Sequence, residues 1–494
     1  MTGPLVTSTL LATWTLSAAG AAEPIDIGSR LELMVDDYLI DTMSGLEFRL
    51  HHPTPKEVVL VHDAPWEGSG SGYHTVFKDG DVYRMYYKAW HLVPSEGKLD
   101  IPHDTFGACA ESSDGIHWVK PNLGLFEYQG SKENNIVWMG KASHDFTPFR
   151  DTNPDCRSGE EYKAIGNGPD PRGAYACKSS DGIHWTFLQD GPILTKGAFD
   201  TQNLAFWDSV RSEYRAYIRT FEEGVRSIRV AVSKDFLTWT DPVRLEYVDS
   251  PTEALYTNQI KPYYRAPHLY IGFPTRYVER GWLPTMEDLP NPEHRRTRSS
   301  SSMRYGTALT DALFMTSRDG VTFNRWGEAF LRPGLRLQHN WAYGDNYIAW
   351  HVVETASDIE DAPNELSLYA TESYWTGDSS RLRRFTIRID GFVSVNAPLR
   401  GGELITKPIV FDGKELVLNF STSAAGSVRI VIQDAGGTPL EGFTAEDAPE
   451  IFGDSLERVA RWNNGRDLAA LSGTPVRLRF LMKDADLYSF RFRH

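Results

Sequence analysis

The chain has 494 residues, too many for one hydrophobic core, so two domains are expected. A net charge of −15 argues against a nucleic-acid binder, which needs an electropositive face. Three cysteines (Cys109, Cys156, Cys177) are too few for a disulfide framework, and their spacing fits no zinc site.

In chain order, the apolar start "LVTSTLLATWTLSAAGAAEP" ends in small residues and reads as a secretory leader over residues 1–22, although it lacks a basic n-region. It predicts a secreted or periplasmic protein. No later stretch is long and apolar enough to span a membrane. From "RLELMVDDYLI" (Arg30–Ile40) onward, runs alternate in the strand period and helical spacing is rare, so the chain is predicted to be all-β.

One pattern recurs: Ser-x-Asp-x-x-x-aromatic. It is written "SSDGIHW" at Ser112–Trp118 and again at Ser179–Trp185, then "SKDFLTW" (Ser233–Trp239) and "SRDGVTF" (Ser317–Phe323). Each copy follows a short strand-like run, and Asp and Gly suit a tight turn with the aromatic opening the next strand. Upstream of each copy an aromatic-ended strand, a polar turn and a Tyr-bearing strand repeat, as in "TVFKDGDVYRMYY" and "LAFWDSVRSEYRAYI". Four strands per repeat predict a propeller blade. A fifth, degenerate unit carries "YIAWHVVET", "ELSLYAT" and "RRFTIRID", and Arg30–Ile40 is expected to complete it. The domains expected are a five-bladed β-propeller over 30–389 and a C-terminal β-sandwich over 390–494, where "ELVLNFST" and "VRLRFLMKDADLYSFRFRH" alternate without further turn copies.

Up-and-down alternation sorts the acids. Turns between strands 1 and 2 and between strands 3 and 4 share one face of the ring. This places Asp79, Asp151 of the tempting "FRD", Asp208 and the four turn aspartates away from any site. Loops leading into strand 1 share the other face with the 2–3 connections. These leading loops carry Glu67, Asp145, Asp200, Glu253 and Asp345. Carboxyls crowded at a channel mouth acquire split pKa values and so the acid and base roles of glycosidic cleavage. Asp200 is expected as base or nucleophile, Glu253 as acid, and Glu67 or Asp145 as a third carboxylate. His74, Gln202, Asn203, Asn258, Gln259, Arg276 and Asp345 are candidates for binding sugar hydroxyls, and Trp66, Tyr256 and Trp341 for stacking on a sugar ring. The long 279–306 segment falls on this face, its Ser run suggesting mobility and its basic run "EHRRTR" a meeting with carboxylated or sulfated sugars.

Five blades with "S-x-D-G-x-x-W" turns ahead of a sandwich resemble glycoside hydrolase families 32 and 43. The stretches "VDDYLID", "GYHTVF", "NLAFWD", "LYTNQ" and "DGFVSVNAP" are similar to a secreted, glycosidase-like propeller family of planctomycete-type bacteria. The resemblance implies a glycoside hydrolase acting on an oligo- or polysaccharide. It carries over no catalytic residues, because neither a "W-x-N-D-P-N-G" start nor an "E-C" acid motif is present. No cofactor is expected beyond a structural calcium ion. A phosphorylase using Arg276, Arg304 and His74, or a non-catalytic carbohydrate-binding propeller, are the competing readings.

Overall fold

A computed structural model describes residues 23–337, 340–463 and 465–494. The expected leader lies outside them, as do the first two residues of "QHNWAYGDN". The protein is all-β, with five blades in a ring. The first four begin with Gly72–Asp79, His144–Arg150, Leu204–Asp208 and Lys261–Tyr263 as innermost strands. The fifth pairs Val353–Thr355, Glu365–Glu372 and Arg381–Ile387 with Thr54–Val61. The closing strand is therefore Thr54–Val61, not the expected Arg30–Ile40, whose Glu32 and Leu33 pair with Phe490 and Ser489 of the C-terminal sheet.

The repeated turn has a double physical reason. Within each copy the Asp oxygen accepts two backbone amides, as Asp181 does from Ile183 and His184 at 2.8 Å, and takes the Ser179 hydroxyl at 3.0 Å. The next residue is left-handed at Gly115, Gly182 and Gly320, which favours glycine. Its carbonyl then accepts a Tyr hydroxyl from the preceding blade: Tyr369 to Gly115 at 2.5 Å, Tyr86 to Gly182 at 2.9 Å and Tyr217 to Gly320 at 2.8 Å. The motif is thus a blade-to-blade rivet. Asp181→Ala is expected to cost about 1 kcal/mol of stability and leave the site face unchanged, as paired denaturant melts and ligand assays would show.

The strand 1–2 acids are rivets too. Asp79 accepts Tyr162 of blade two at 2.5 Å, Asp151 accepts Tyr214 of blade three at 2.6 Å, and Asp208 accepts Tyr270 of blade four. Asp151 also lies against Lys163, which spends the "FRD" aspartate on structure.

From Val393 the chain forms a ten-stranded sheet with the N-terminal segments Ile25–Gly28, Glu32–Leu33, Ile40–Ser44 and Glu47–Leu50. Its long strands Glu415–Asp434 and Val476–Arg493 are bulged, and alternate residues from both halves, such as Leu418 and Ile430, enter one core. The sheet thereby wraps one apolar layer in sandwich fashion. Leu31, Leu33, Val35 and Leu50 pack with Phe273, Phe314 and Phe392, which joins this sheet to blades four and five.

The 279–306 segment contains helices. Helix α1 (Pro292–Ser301) starts with Pro in its first turn, and α2 (Met303–Thr307) follows. Arg295 and Arg298, one turn apart, face inward, while Arg296 turns out to Glu287. Arg295 donates to the carbonyls of Pro290, Gly306, Asn340 and Trp341. Across the mouth, Gly97 of the blade-one 2–3 connection donates to Ser300 of α1 at 2.8 Å. Two 2–3 connections thus meet over the site face as a cover.

Candidate functional site at the channel mouth

Below the cover the leading loops divide into a plug and a rim. The plug is made of amides. Gln202 donates to the His74 carbonyl and Thr75, and Gln259 donates to Gln202 at 2.8 Å and to the Ile348 carbonyl. Asn203 bonds the carbonyls of Phe199 and Thr201 and caps the Arg219 amide. Asn258 reaches the Tyr217 carbonyl. All four are buried, so these candidates for sugar binding are occupied in stitching loops across the axis. His74 lies there too, its Nε2 3.0 Å from His62 Nε2.

Burial pushes His62 down to about 4, the nearby Glu67 carboxylate only partly opposing it, and sends His74 well below its ordinary value. Unfolded chain binds these protons more readily, so folding stability falls as pH drops from about 6.5 towards 4. Thermal melts should show this loss, and His62→Phe should flatten it.

Three predicted carboxylates are held elsewhere. Glu67 points into blade one, where it accepts Tyr87 at 2.5 Å, Lys120 at 2.6 Å and the Ala64 amide at 3.0 Å. Trp66 beside it donates to Asn135 at 2.7 Å. Glu253 is clamped between Arg276 and Arg325, and Arg276 also grips Asp311 at 2.7 Å. That leaves Glu253 no free edge for a glycosidic oxygen, and it uses up Arg276. Trp341 borders an outer cleft of about 550 Å³ with Arg276 and Asp311. Asp345 closes its own loop, accepting the Tyr374 amide at 3.0 Å and the Ala342 amide at 3.2 Å. Burial raises its carboxyl to about 7 against the pull of those amides.

The rim brings Asp145, Asp200 and Tyr256 together with residues that the sequence reading did not single out. His144 Nδ1 lies 2.7 Å from Asp145 Oδ2 and its Nε2 3.6 Å from Asp200 Oδ1. Lys88 Nζ stands 3.5 Å from Asp145 Oδ1 and over the rings of Tyr73 and Trp90. The Asp145 side chain is 1% exposed and that of Asp200 is 68% exposed, so one carboxylate is enclosed and one is open. Burial opposes the charge of Asp145, yet His144 and Lys88 outweigh it and hold the carboxyl below its ordinary range. Tyr73, Tyr256, Tyr347 and Tyr374 wall the mouth, with Tyr73 on Tyr347 at 5.8 Å and Tyr256 on Tyr347 at 5.5 Å.

A signal for Lys88 was present. "YYKAW" and "YIRTF" occupy the same repeat position, so the rivet tyrosines Tyr86 and Tyr217 are each followed two residues later by a cation, Lys88 and Arg219, at the end of strand 2. Strand alternation delivers that residue to the mouth.

His144, Asp145 and Asp200 offer atoms within 4.8 Å of one another, close enough to grasp a metal ion. The Lys88 ammonium already supplies positive charge beside the buried oxygen, so the group fits a divalent cation poorly.

No protein-family model and no curated protein matches the sequence. Among solved structures, the chain is similar to an N-acetylgalactosamine deacetylase from F. plautii in complex with blood group B trisaccharide (12% identity, TM-score 0.42, covering 69% of this chain and 94% of that one). It is also similar to the catalytic domain of a Coprinopsis cinerea family 62 α-L-arabinofuranosidase (9%, 0.41, 68% and 97%). It is likewise similar to a Bombyx mori family 32 β-fructofuranosidase (10%, 0.37, 90% and 94%). These are likenesses of chain path, and they assign no residue of the mouth.

Proposed function

We propose that the protein is an exported, exo-acting glycoside hydrolase whose reacting carboxyls are Asp145 and Asp200. The observation that carries this reading is the pair itself: one enclosed, ionised carboxylate and one open carboxylate, joined through His144 and walled by aromatic rings. One oxygen of each lies within 4.8 Å of the other, a close approach that suits double displacement, with its spacing of about 5 Å, better than the roughly 6.5–9.5 Å that admits a water. In this mechanism Asp145 attacks the anomeric carbon, Asp200 protonates the leaving oxygen, and Asp200 then activates the water that frees the sugar with net retention. His144 holds the two carboxylates in register. Exo action is supported by the plug of Gln202, Gln259, His74 and Trp350, which leaves no path for a polymer through the axis. The substrate is an oligo- or polysaccharide.

The test is turnover of purified protein on aryl glycosides and polysaccharides, with proton NMR of the first product. Release of the retained anomer supports the proposal. Release of the inverted anomer overturns the nucleophile assignment, and no turnover on any glycan overturns the activity.

A further inference from the structure

Elsewhere in this protein, buried arginines are neutralised by carboxylates or, as at Arg295, spent on backbone carbonyls. Arg318 meets Glu32 and Asp36, Arg384 meets Glu57 and Asp358, and Arg215 meets Asp208 and Glu213. The mouth breaks this habit. Among the described residues, no carboxylate pairs within 4.0 Å with Arg219, Arg226, Arg298 or Arg304. Arg219 is 5% exposed and Arg298 is 2% exposed, so neither leans on bulk water. Buried nitrogens on all four have no hydrogen-bond partner: Nε of Arg219, Arg226 and Arg298, and Nη1 of Arg304. An unpaired buried guanidinium is costly, and evolved interiors seldom leave one without an anion.

The placement follows from strand pairing. Phe221 and Arg226 stand opposite each other in the blade-three hairpin, and Arg219 lies two residues back, so all three project from one face. That face meets Tyr256, 5.0 Å from the Arg219 guanidinium and 5.2 Å from that of Arg226, and Tyr277, 4.3 Å from that of Arg226. From the opposite side Arg304 stacks on Tyr305 and Tyr343. The rings hold the guanidinium planes without neutralising them. The buried hydroxyl of Tyr347 also lacks a partner. A protein of net charge −15 has gathered at one mouth arginines without an ion-pair carboxylate among the described residues, the charges of Asp145 and Asp200 reaching Arg219 only from beyond contact.

We infer that this mouth recognises an anionic saccharide, one bearing a uronate carboxylate or a sulfate ester, through the oxyanion seat formed by Arg219, Arg226 and Arg304 beside Asp200. The inference rests on the reading of the mouth as a saccharide site and names the class of saccharide. A planar guanidinium matches the paired oxygens of carboxylate and sulfate, and free rivals lacking the charge would leave the seat unpaired, which is how such sites discriminate.

The experiment is binding of the full protein to an array of neutral, uronate-bearing and sulfated oligosaccharides, followed by titration calorimetry of the retained glycans. Arg219→Met, Arg226→Met and Arg226→Lys are run alongside, with thermal melts to show that each folds. Retained glycans are expected to be anionic, and their two subclasses tell carboxylate from sulfate. Each Met variant should weaken them about tenfold or more while Arg226→Lys recovers part of the loss. Preference for neutral glycans, or unchanged affinity in folded Met variants, overturns the inference. Turnover of neutral glycans that depends on inorganic phosphate also overturns it and makes the seat a phosphate site. Arginine-dependent binding without cleavage removes the hydrolase reading alone, and cleavage of neutral glycans indifferent to Arg219 and Arg226 removes this inference alone. No glycan binding removes both.

Discussion

Asp145→Asn should lower kcat about a thousandfold, the scale seen when a group that reacts in the transition state is removed. Asparagine has the shape of aspartate but neither its charge nor its nucleophilicity. The substitution also strips Lys88, itself 2% exposed, of the one carboxylate that pairs with it among the described residues, and an isolated buried charge costs about 3–5 kcal/mol. Lost activity alone would therefore be ambiguous. The double variant Lys88→Met with Asp145→Asn removes both charges and should regain most of the unfolding free energy while staying inactive. Asp200→Asn supplies the complementary arm, because its exposed carboxyl should be replaceable with little effect on stability and a comparable fall in kcat. Activity in the stable double variant would exclude Asp145 from the chemistry.

Trp350→Ala should cost about 4 kcal/mol, as removal of a fully enclosed large aromatic does. Trp350 is wholly buried beside the ring axis, against Phe206 and His351. Its amide donates to the His74 carbonyl at 2.8 Å, its carbonyl accepts the Val76 amide at 3.0 Å, and its indole Nε1 donates to the Ile260 carbonyl at 3.0 Å. One residue thus ties blade five to blade one through its backbone and to blade four through its indole. Alanine opens a cavity and leaves a buried carbonyl without a donor. Trp350→Phe keeps most of the volume and loses only the indole bond, so a fall of about 1–2 kcal/mol is expected. Chemical denaturation of the three proteins checks the order; equal losses for both variants would show that the hydrogen bond outweighs the volume.

The blades were legible because the turn that marks them is held by contacts two and three residues apart, such as Asp114 to the amides of Ile116 and His117. That the leading loops share one face of the ring followed from up-and-down alternation alone. Ring closure was not, because Thr54–Val61 is chosen by pairing with Arg381–Ile387, far along the chain, and "TPKEVVLV" and "RLELMVDDYLI" alternate equally well. Nor could composition separate plug from rim. Tyr73 and His74 are neighbours, yet Tyr73 has a left-handed backbone and walls the mouth while His74 turns into the axis. Gln202 and Gln259 read as sugar-binding amides, and Gln259 instead donates to Gln202 while Gln202 donates to the His74 carbonyl and Thr75. The Ser run of 299–302 suggested looseness, whereas Arg295, spent on four carbonyls, anchors that segment.

The interlacing of the two chain ends has a consequence during synthesis. Glu47 pairs with Asn396, Glu32 with Phe490, and Val58 with Arg383, so the strands between Ile25 and Val61 find their partners only as residues 381–493 leave the ribosome. Blades one to four are complete long before then, while the nascent N-terminal strands wait with open edges, the condition that invites pairing with a neighbouring chain. The ring itself can seal once Arg381–Ile387 meets Thr54–Val61, whereas a chain clipped within the C-terminal sheet would leave Ile25–Gly28, Glu32–Leu33 and Ile40–Ser44 without their strand partners.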